Sequence, residues 1–157
     1  GSEIRVAILL ENAAGNTHNL QRSFKTTRPR QTSFGLGSMK ILIDNVPREL
    51  ASYRNALCEC IEAFARVKRV HQVYLFGSHA RGEAGPNSDV DLCIVADDAE
   101  RQLQTAQQFR HAMRDIWPRP AFTLVPIAPQ RLAEKKASKD HFFMTVLKEG
   151  VLLAEEN

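Results

Sequence analysis

The sequence predicts an α/β (α+β) domain in which a small sheet is covered by helices. Three observations predict it. Leu50, Tyr53, Leu57, Ile61 and Phe64 recur at spacings of three and four, the period of one helical face. Residues 71–76 and 90–95 are short runs rich in apolar, β-branched and aromatic side chains, which suit a buried sheet. Helical and strand patterns then follow one another to the end of the chain, an order that builds layers rather than a bundle or a sandwich. A chain of 157 residues has material for a single core.

Taken in order, the first helix is expected over about 47–66, with Pro47 tolerated only in its first turn. Gly77 ends the first strand, and residues 82–88, with Gly85-Pro86-Asn87, form the loop to the second. Leu103, Ala106, Phe109, Met113 and Ile116 set the stripe of a helix over about 98–117, opened by acids and stopped by Pro118. A third strand is expected over 121–127, where Pro126 points to an edge or a bulge. Two short helices, near 129–137 and 139–148, lead to Gly150 and a last apolar run, 151–154. Trp117 and Phe122 are expected in the core beneath the sheet, and His79 at the surface.

Residues 1–38 read differently. They are polar and carry five basic and two acidic side chains, whereas residues 39–157 carry sixteen of each. The net +3 therefore belongs to an N-terminal arm. Gly1-Ser2 resembles a cloning remnant, and within the arm only residues 4–10 are apolar enough to add a strand to a sheet edge. The expected domain is 39–157. Its balanced charge disfavours nucleic acid as a partner, which would call for a basic stripe on the folded body. No apolar run approaches the roughly 18 residues of a membrane span, so membrane insertion is excluded and a cytoplasmic location expected. Cys58, Cys60 and Cys93 lack the paired spacing of a zinc or redox site and read as neutral thiols. The five histidines form no ligand motif.

Chemistry concentrates in residues 75–92. Gly77 lets backbone N–H groups approach an anion closely, and Ser78 adds a hydroxyl where a strand turns into a short helix. Asp89 and Asp91, two apart at the start of a strand, project their carboxylates from one face. Paired carboxylates are hard ligands suited to Mg²⁺, and with phosphate oxygens they make a metal-assisted phosphoryl-transfer site. Read blandly, Gly77-Ser78 is a turn and the acids are solvated. A Gly-Ser, ten-residue, Asp-x-Asp match arises by chance in about one chain of this length in 500.

This segment resembles the signature of the minimal nucleotidyltransferases, small relatives of the DNA polymerase beta superfamily. Gly77, Ser78, Asp89 and Asp91 match it position for position, and Ala80-Arg81-Gly82, Ser88 and residues 148–153 are similar as well. The resemblance covers roughly 39–156. It implies the nucleotidyltransferase fold, a small mixed sheet flanked by helices, binding Mg-ATP or another NTP and transferring a nucleoside monophosphate to an acceptor hydroxyl. Gly77 and Ser78 would hold the triphosphate with Arg81 beside them, and Asp89 and Asp91 would be the catalytic metal ligands, the cofactor being Mg²⁺. The family implies a HEPN-domain toxin as protein partner, with self-association left open. Arg81 is equally suited to bond a carboxylate such as Asp89 or Glu83.

One departure stands out. The family usually supplies a third carboxylate from the strand after the second helix, and alignment puts Thr123, or Phe122 in a slipped register, at that position. No acid lies between Asp115 and Glu134. Activity is therefore in doubt, and the alternative is an antitoxin that acts by protein binding with weak or no catalysis. Two other readings fail on their residues. A P-loop would need Lys and Ser or Thr where Glu83 and Ala84 stand, and a hydrolase elbow would need glycines where Phe76 and Ala80 stand.

Overall fold

The computed structural model describes residues 39–157; the N-terminal arm, including the candidate strand at 4–10, lies outside the described residues. Five strands, β1 (Met39–Ile41), β2 (Val70–Phe76), β3 (Val90–Ala96), β4 (Phe122–Ile127) and β5 (Val151–Glu156), form one mixed sheet in the order β1-β5-β2-β3-β4. Among the described strands only β3 and β4 run parallel. Such a pair needs a crossover, here helix α3 (Gln102–Ala112). The other helices are α1 (Arg54–Val67), the single turn α2 (Ser78–Arg81), α4 (Pro129–Ala137) and α5 (His141–Glu149).

Alternation along the strands gives the sheet two covered faces. Val73, Leu75, Val90, Leu92, Ile94, Phe122 and Leu124 face α1 and α3 and meet Leu57, Ile61, Phe64 and Phe109. The Phe64 and Phe109 rings sit 4.9 Å apart, joining the two helices. Removing either ring would be expected to cost ~3–5 kcal/mol. On the opposite face Cys93, Val95 and Ile127 meet Leu132 of α4 and Phe143 and Val146 of α5. Cover on both faces explains why β3 reads as a nearly continuous apolar run.

Several expectations shift at their boundaries for identifiable reasons. Pro47 takes an extended conformation, and the chain enters α1 through tight 3₁₀ turns over Arg48–Tyr53, so the regular helix starts later than 47. Asp98 adopts a left-handed conformation (φ 59°), so the acids at 98–100 make a turn before α3 instead of its first turn. Pro126 lies on the edge strand β4, as expected, and its carbonyl accepts a hydrogen bond from Gln102 (2.7 Å). The side chain of Asp140 caps α5 by accepting from the Phe143 N–H (3.0 Å). Trp117 corrects an expectation: it is 68% exposed, its ring covered by the Arg119 guanidinium at 4.4 Å, while Phe122 is buried as expected. The apolar run after Gly150 is β5, a central strand between β1 and β2.

None of the three cysteines forms a disulphide, and burial pushes the Cys93 thiol up to about 12, which makes it inert. Among the described residues no helix is long and apolar enough to cross a membrane.

At the end of β2 remote from Gly77, His71 lies between two carboxylates, Nε2 at 2.7 Å from Asp97 and Nδ1 at 2.8 Å from Glu156. Arg69 reaches the other oxygen of Glu156 at 2.7 Å. Burial opposes the charge on His71, but the bonds to Asp97 and Glu156 outweigh it and hold the imidazole above its ordinary 6.5. Burial likewise opposes the Glu156 carboxylate, and the bonds from Arg69 and His71 hold it below its ordinary 4.5. The stabilisation from His71 is complete below 6.5 and lost as pH rises through its raised value. That from Glu156 is complete above 4.5 and lost as pH falls through its lowered value. His71→Asn should therefore cost more stability in urea denaturation at about pH 5.5 than at about pH 8.5. An equal cost at both would refute the ionic reading of this cluster.

Candidate functional site

Where β2 ends, Phe76 stands opposite Asp91 of β3, and the chain reverses at Gly77. Gly77 has φ +76°, a backbone region that side-chain-bearing residues rarely adopt. Space excludes a side chain there as well, because a Cβ at Gly77 would fall on the Asp91 carboxylate. The carbonyl of Gly77 accepts from the N–H groups of Ala80 (3.0 Å) and Arg81 (3.1 Å), forming α2, and Gly82 in the left-handed conformation (φ +74°) ends it. The single turn leaves the Ser78 end of α2 beside the acids.

Asp89 and Asp91 flank Val90, whose side chain points into the core against α1 and α3, so both carboxylates leave the other face of the sheet. Across the parallel pair Asp91 is in register with Thr123, and the Thr123 hydroxyl donates to Asp89 Oδ2 at 3.3 Å. Phe122, in contrast, is 2% exposed in the core. Thr123 is thus the β4 residue facing the aspartates. The structure brings together Gly77, Ser78, Asp89, Asp91 and Thr123, the residues singled out from the sequence. Among the described residues no three His, Cys, Asp or Glu side chains are grouped to hold a metal ion.

Arg81 is paired with carboxylates, its Nε donating to Glu83 at 2.9 Å and an outer nitrogen lying 3.7 Å from Glu149. The bond to Glu83, and then the charges of Glu83 and Glu149, raise its pKa further and keep it a cation. The sequence offers Glu83 as a partner but not Glu149, since α5 follows in the chain at a distance no local pattern spans. His79 overturns its expectation. It is only 7% exposed, with Nε2 at 3.3 Å from the Ser88 carbonyl oxygen and Nδ1 at 3.3 Å from Glu49. Nothing in the spacing around His79 marked it as inward, because its partners come from the turn before α1 and from the loop before β3. That loop is closed on itself by the Gly85 N–H, which donates to Ser88 Oγ at 2.9 Å.

Comparison with known proteins adds family to geometry. The profile of the nucleotidyltransferase domain matches residues 57–143, more than half of the chain. The chain belongs to the nucleotidyltransferase domain family. Its match runs from α1 into α5 and so includes the Gly77 turn, both aspartates and Thr123. Among solved structures, a Sulfolobus solfataricus protein provisionally assigned as a nucleotidyltransferase is 20% identical (TM-score 0.40), over 62% of this chain and 75% of its own. A toxin–antitoxin complex with AMP-PNP is 21% identical (TM-score 0.36), over 59% of this chain and 68% of its own. No curated protein matches. Nucleotidyltransferase domains generally use a divalent metal, and the donor chemistry here, two carboxylates on one sheet face with a hydroxyl between strands, fits a hard cation.

The packing of Gly77 predicts a specific defect. Gly77→Ala should lose about 1–3 kcal/mol in urea denaturation, from the strained φ and from displacement of Asp91. A variant as stable as the wild type would mean that the turn and the carboxylate are not in contact.

Proposed function

We propose that this nucleotidyltransferase domain binds a nucleoside triphosphate with Mg²⁺, ATP in the first instance, and transfers its nucleoside monophosphate to a hydroxyl on a partner protein such as a HEPN toxin. The observation that carries the reading is the contact of the Gly77 backbone with the Asp91 carboxylate, which makes an anion-binding turn and a cation-binding side chain neighbours. In this reading Ser78 and the backbone N–H groups at the start of α2 hold the terminal phosphates. Asp89 and Asp91 hold Mg²⁺, which when bound neutralises the triphosphate and stabilises the departing pyrophosphate. Arg81 turns from Glu149 and Glu83 towards the phosphates, an exchange of one anionic partner for another.

The acceptor oxygen forms a bond to the α-phosphorus as the bond to pyrophosphate breaks, and its proton must go to a base. Thr123 is no such base. Its hydroxyl, donating to Asp89, orients that carboxylate without accepting a proton. General-base assistance is worth ~10² to 10⁴ in rate, so binding outlasts catalysis and turnover is slow. The same threonine favours a second reading, an antitoxin that keeps the fold and neutralises its partner mainly by covering it.

Two measurements test these readings. Asp89→Asn or Asp91→Asn should abolish Mg²⁺-dependent ATP binding in calorimetry, and unchanged affinity in both would remove the metal-site reading. Mixed with labelled ATP, Mg²⁺ and any HEPN protein encoded beside its gene, the domain should label the partner slowly, and Thr123→Asp should tighten Mg²⁺ binding and raise the labelling. Wild-type turnover at ~1 per second or more would show that no third carboxylate is needed.

A further inference from the structure

The nucleotide reading requires the phosphate-holding turn and both metal-holding aspartates to keep a fixed separation, and the contact of Gly77 reaches Asp91 but leaves Asp89 to be placed by other contacts. Helix α2 is a single turn of four residues, in which Gly77 O accepts from the N–H groups of Ala80 and Arg81 and Ser78 O from those of Gly82 and Glu83. So short a helix is not stable by itself, and its placement depends on side-chain anchors. Two are present. Arg81 points outward to exposed carboxylates, and His79 points inward.

The inward anchor joins parts of the molecule that the backbone does not. On one side His79 follows Ser78 directly in the chain. On the other its Nε2 meets the carbonyl of Ser88, the residue that precedes Asp89. The remaining nitrogen reaches Glu49, in the 3₁₀ turns leading to α1, which rests on the core through Leu50. Because a carbonyl oxygen can only accept, the Ser88 contact puts a hydrogen on Nε2. A buried imidazole with an unmet nitrogen would cost about 1–3 kcal/mol, so the pocket is built for a ring bonded at both ends. We propose, building on the nucleotide reading above, that His79 is a positioning residue: a strut that holds the Ser78 end of α2 at the distance from Asp89 at which triphosphate and metal ion bind cooperatively.

Contact between Gly77 and Asp91 does not pass through His79, so each half of the site survives its loss. What is lost is the spacing between α2 and Asp89, because the backbone at Ser88–Asp89 is freed from α2 while Asp91 stays against Gly77. In binding terms the coupling between ligands falls while the affinity for each ligand alone is retained. A merely structural histidine would instead lower stability and leave coupling intact.

The test measures Mn²⁺ affinity by electron paramagnetic resonance with and without ATP, the ratio being the coupling. In His79→Leu the Mn²⁺ affinity without ATP should stay within about twofold of wild type, and the enhancement by ATP should fall about tenfold, a coupling loss of about 1.4 kcal/mol. His79→Gln, whose amide N–H reaches the Ser88 carbonyl, should restore most of it. Unchanged coupling in a folded His79→Leu, or failure of His79→Gln to restore what is lost, overturns the role. Should His79→Leu not fold, Glu49→Ala decides: Glu49 is 46% exposed, its variant removes one end of the strut, and coupling equal to wild type overturns the proposal. Absence of Mn²⁺ or ATP binding in the wild-type protein would instead overturn the nucleotide reading and the strut with it.

Discussion

The close approach of the Gly77 backbone to the Asp91 carboxylate is the constraint on which the rest of this domain depends. It requires a residue without Cβ, a positive φ, and a strand pair whose register sets Phe76 opposite Asp91. A slip of one residue would turn Asp91 into the core and Leu92 onto the site, because side chains alternate with period two. Register here is held by burial on both faces: Val90, Leu92 and Ile94 against α1 and α3, Cys93 and Val95 against α4 and α5. The hydrophobic layers thereby fix the position of charges that contribute nothing to them.

Electrostatics explain why such a site would need a cation. Asp89 and Asp91 leave the same face, and Arg81, the cation adjoining the turn, is engaged with Glu83 and Glu149. In the proposed reading a triphosphate at this turn would stand beside the two carboxylates. A divalent metal there would convert repulsion into shared coordination, in line with the general use of metals by nucleotidyltransferase domains. Thr123 stands in this field as a neutral donor, orienting Asp89 while adding neither charge nor basicity.

The ends of the sheet divide labour. At the end of β2 opposite the site, Arg69, His71, Asp97 and Glu156 tie β2, β5 and the residue after β3 into an ionic cluster. Side chains there are satisfied by one another. At the site end the strands stop in turns whose partners come from far along the chain: Glu49 to His79 and Glu149 to Arg81. A rigid sheet thus carries an assembled rim, and loop-borne chemistry on a fixed scaffold is the common arrangement in enzymes.

The sequence by itself determined what depends on local period and short motif spacing. The apolar repeat from Leu50 to Phe64 marks α1, the run at 90–95 marks β3, and the Gly77-Ser78 and Asp89-x-Asp91 pattern marks the family and the candidate site. These are legible because helices and strands repeat every few residues and because ligand chemistry restricts residue types. Only the tertiary structure decided that the apolar run after Gly150 is a central strand, that Trp117 lies outside under an arginine, that Arg81 meets Glu149, and that His79 turns inward between Glu49 and Ser88. Each of these depends on which distant segment arrives beside a residue, and strand order and loop closure set that, leaving no trace in local periodicity.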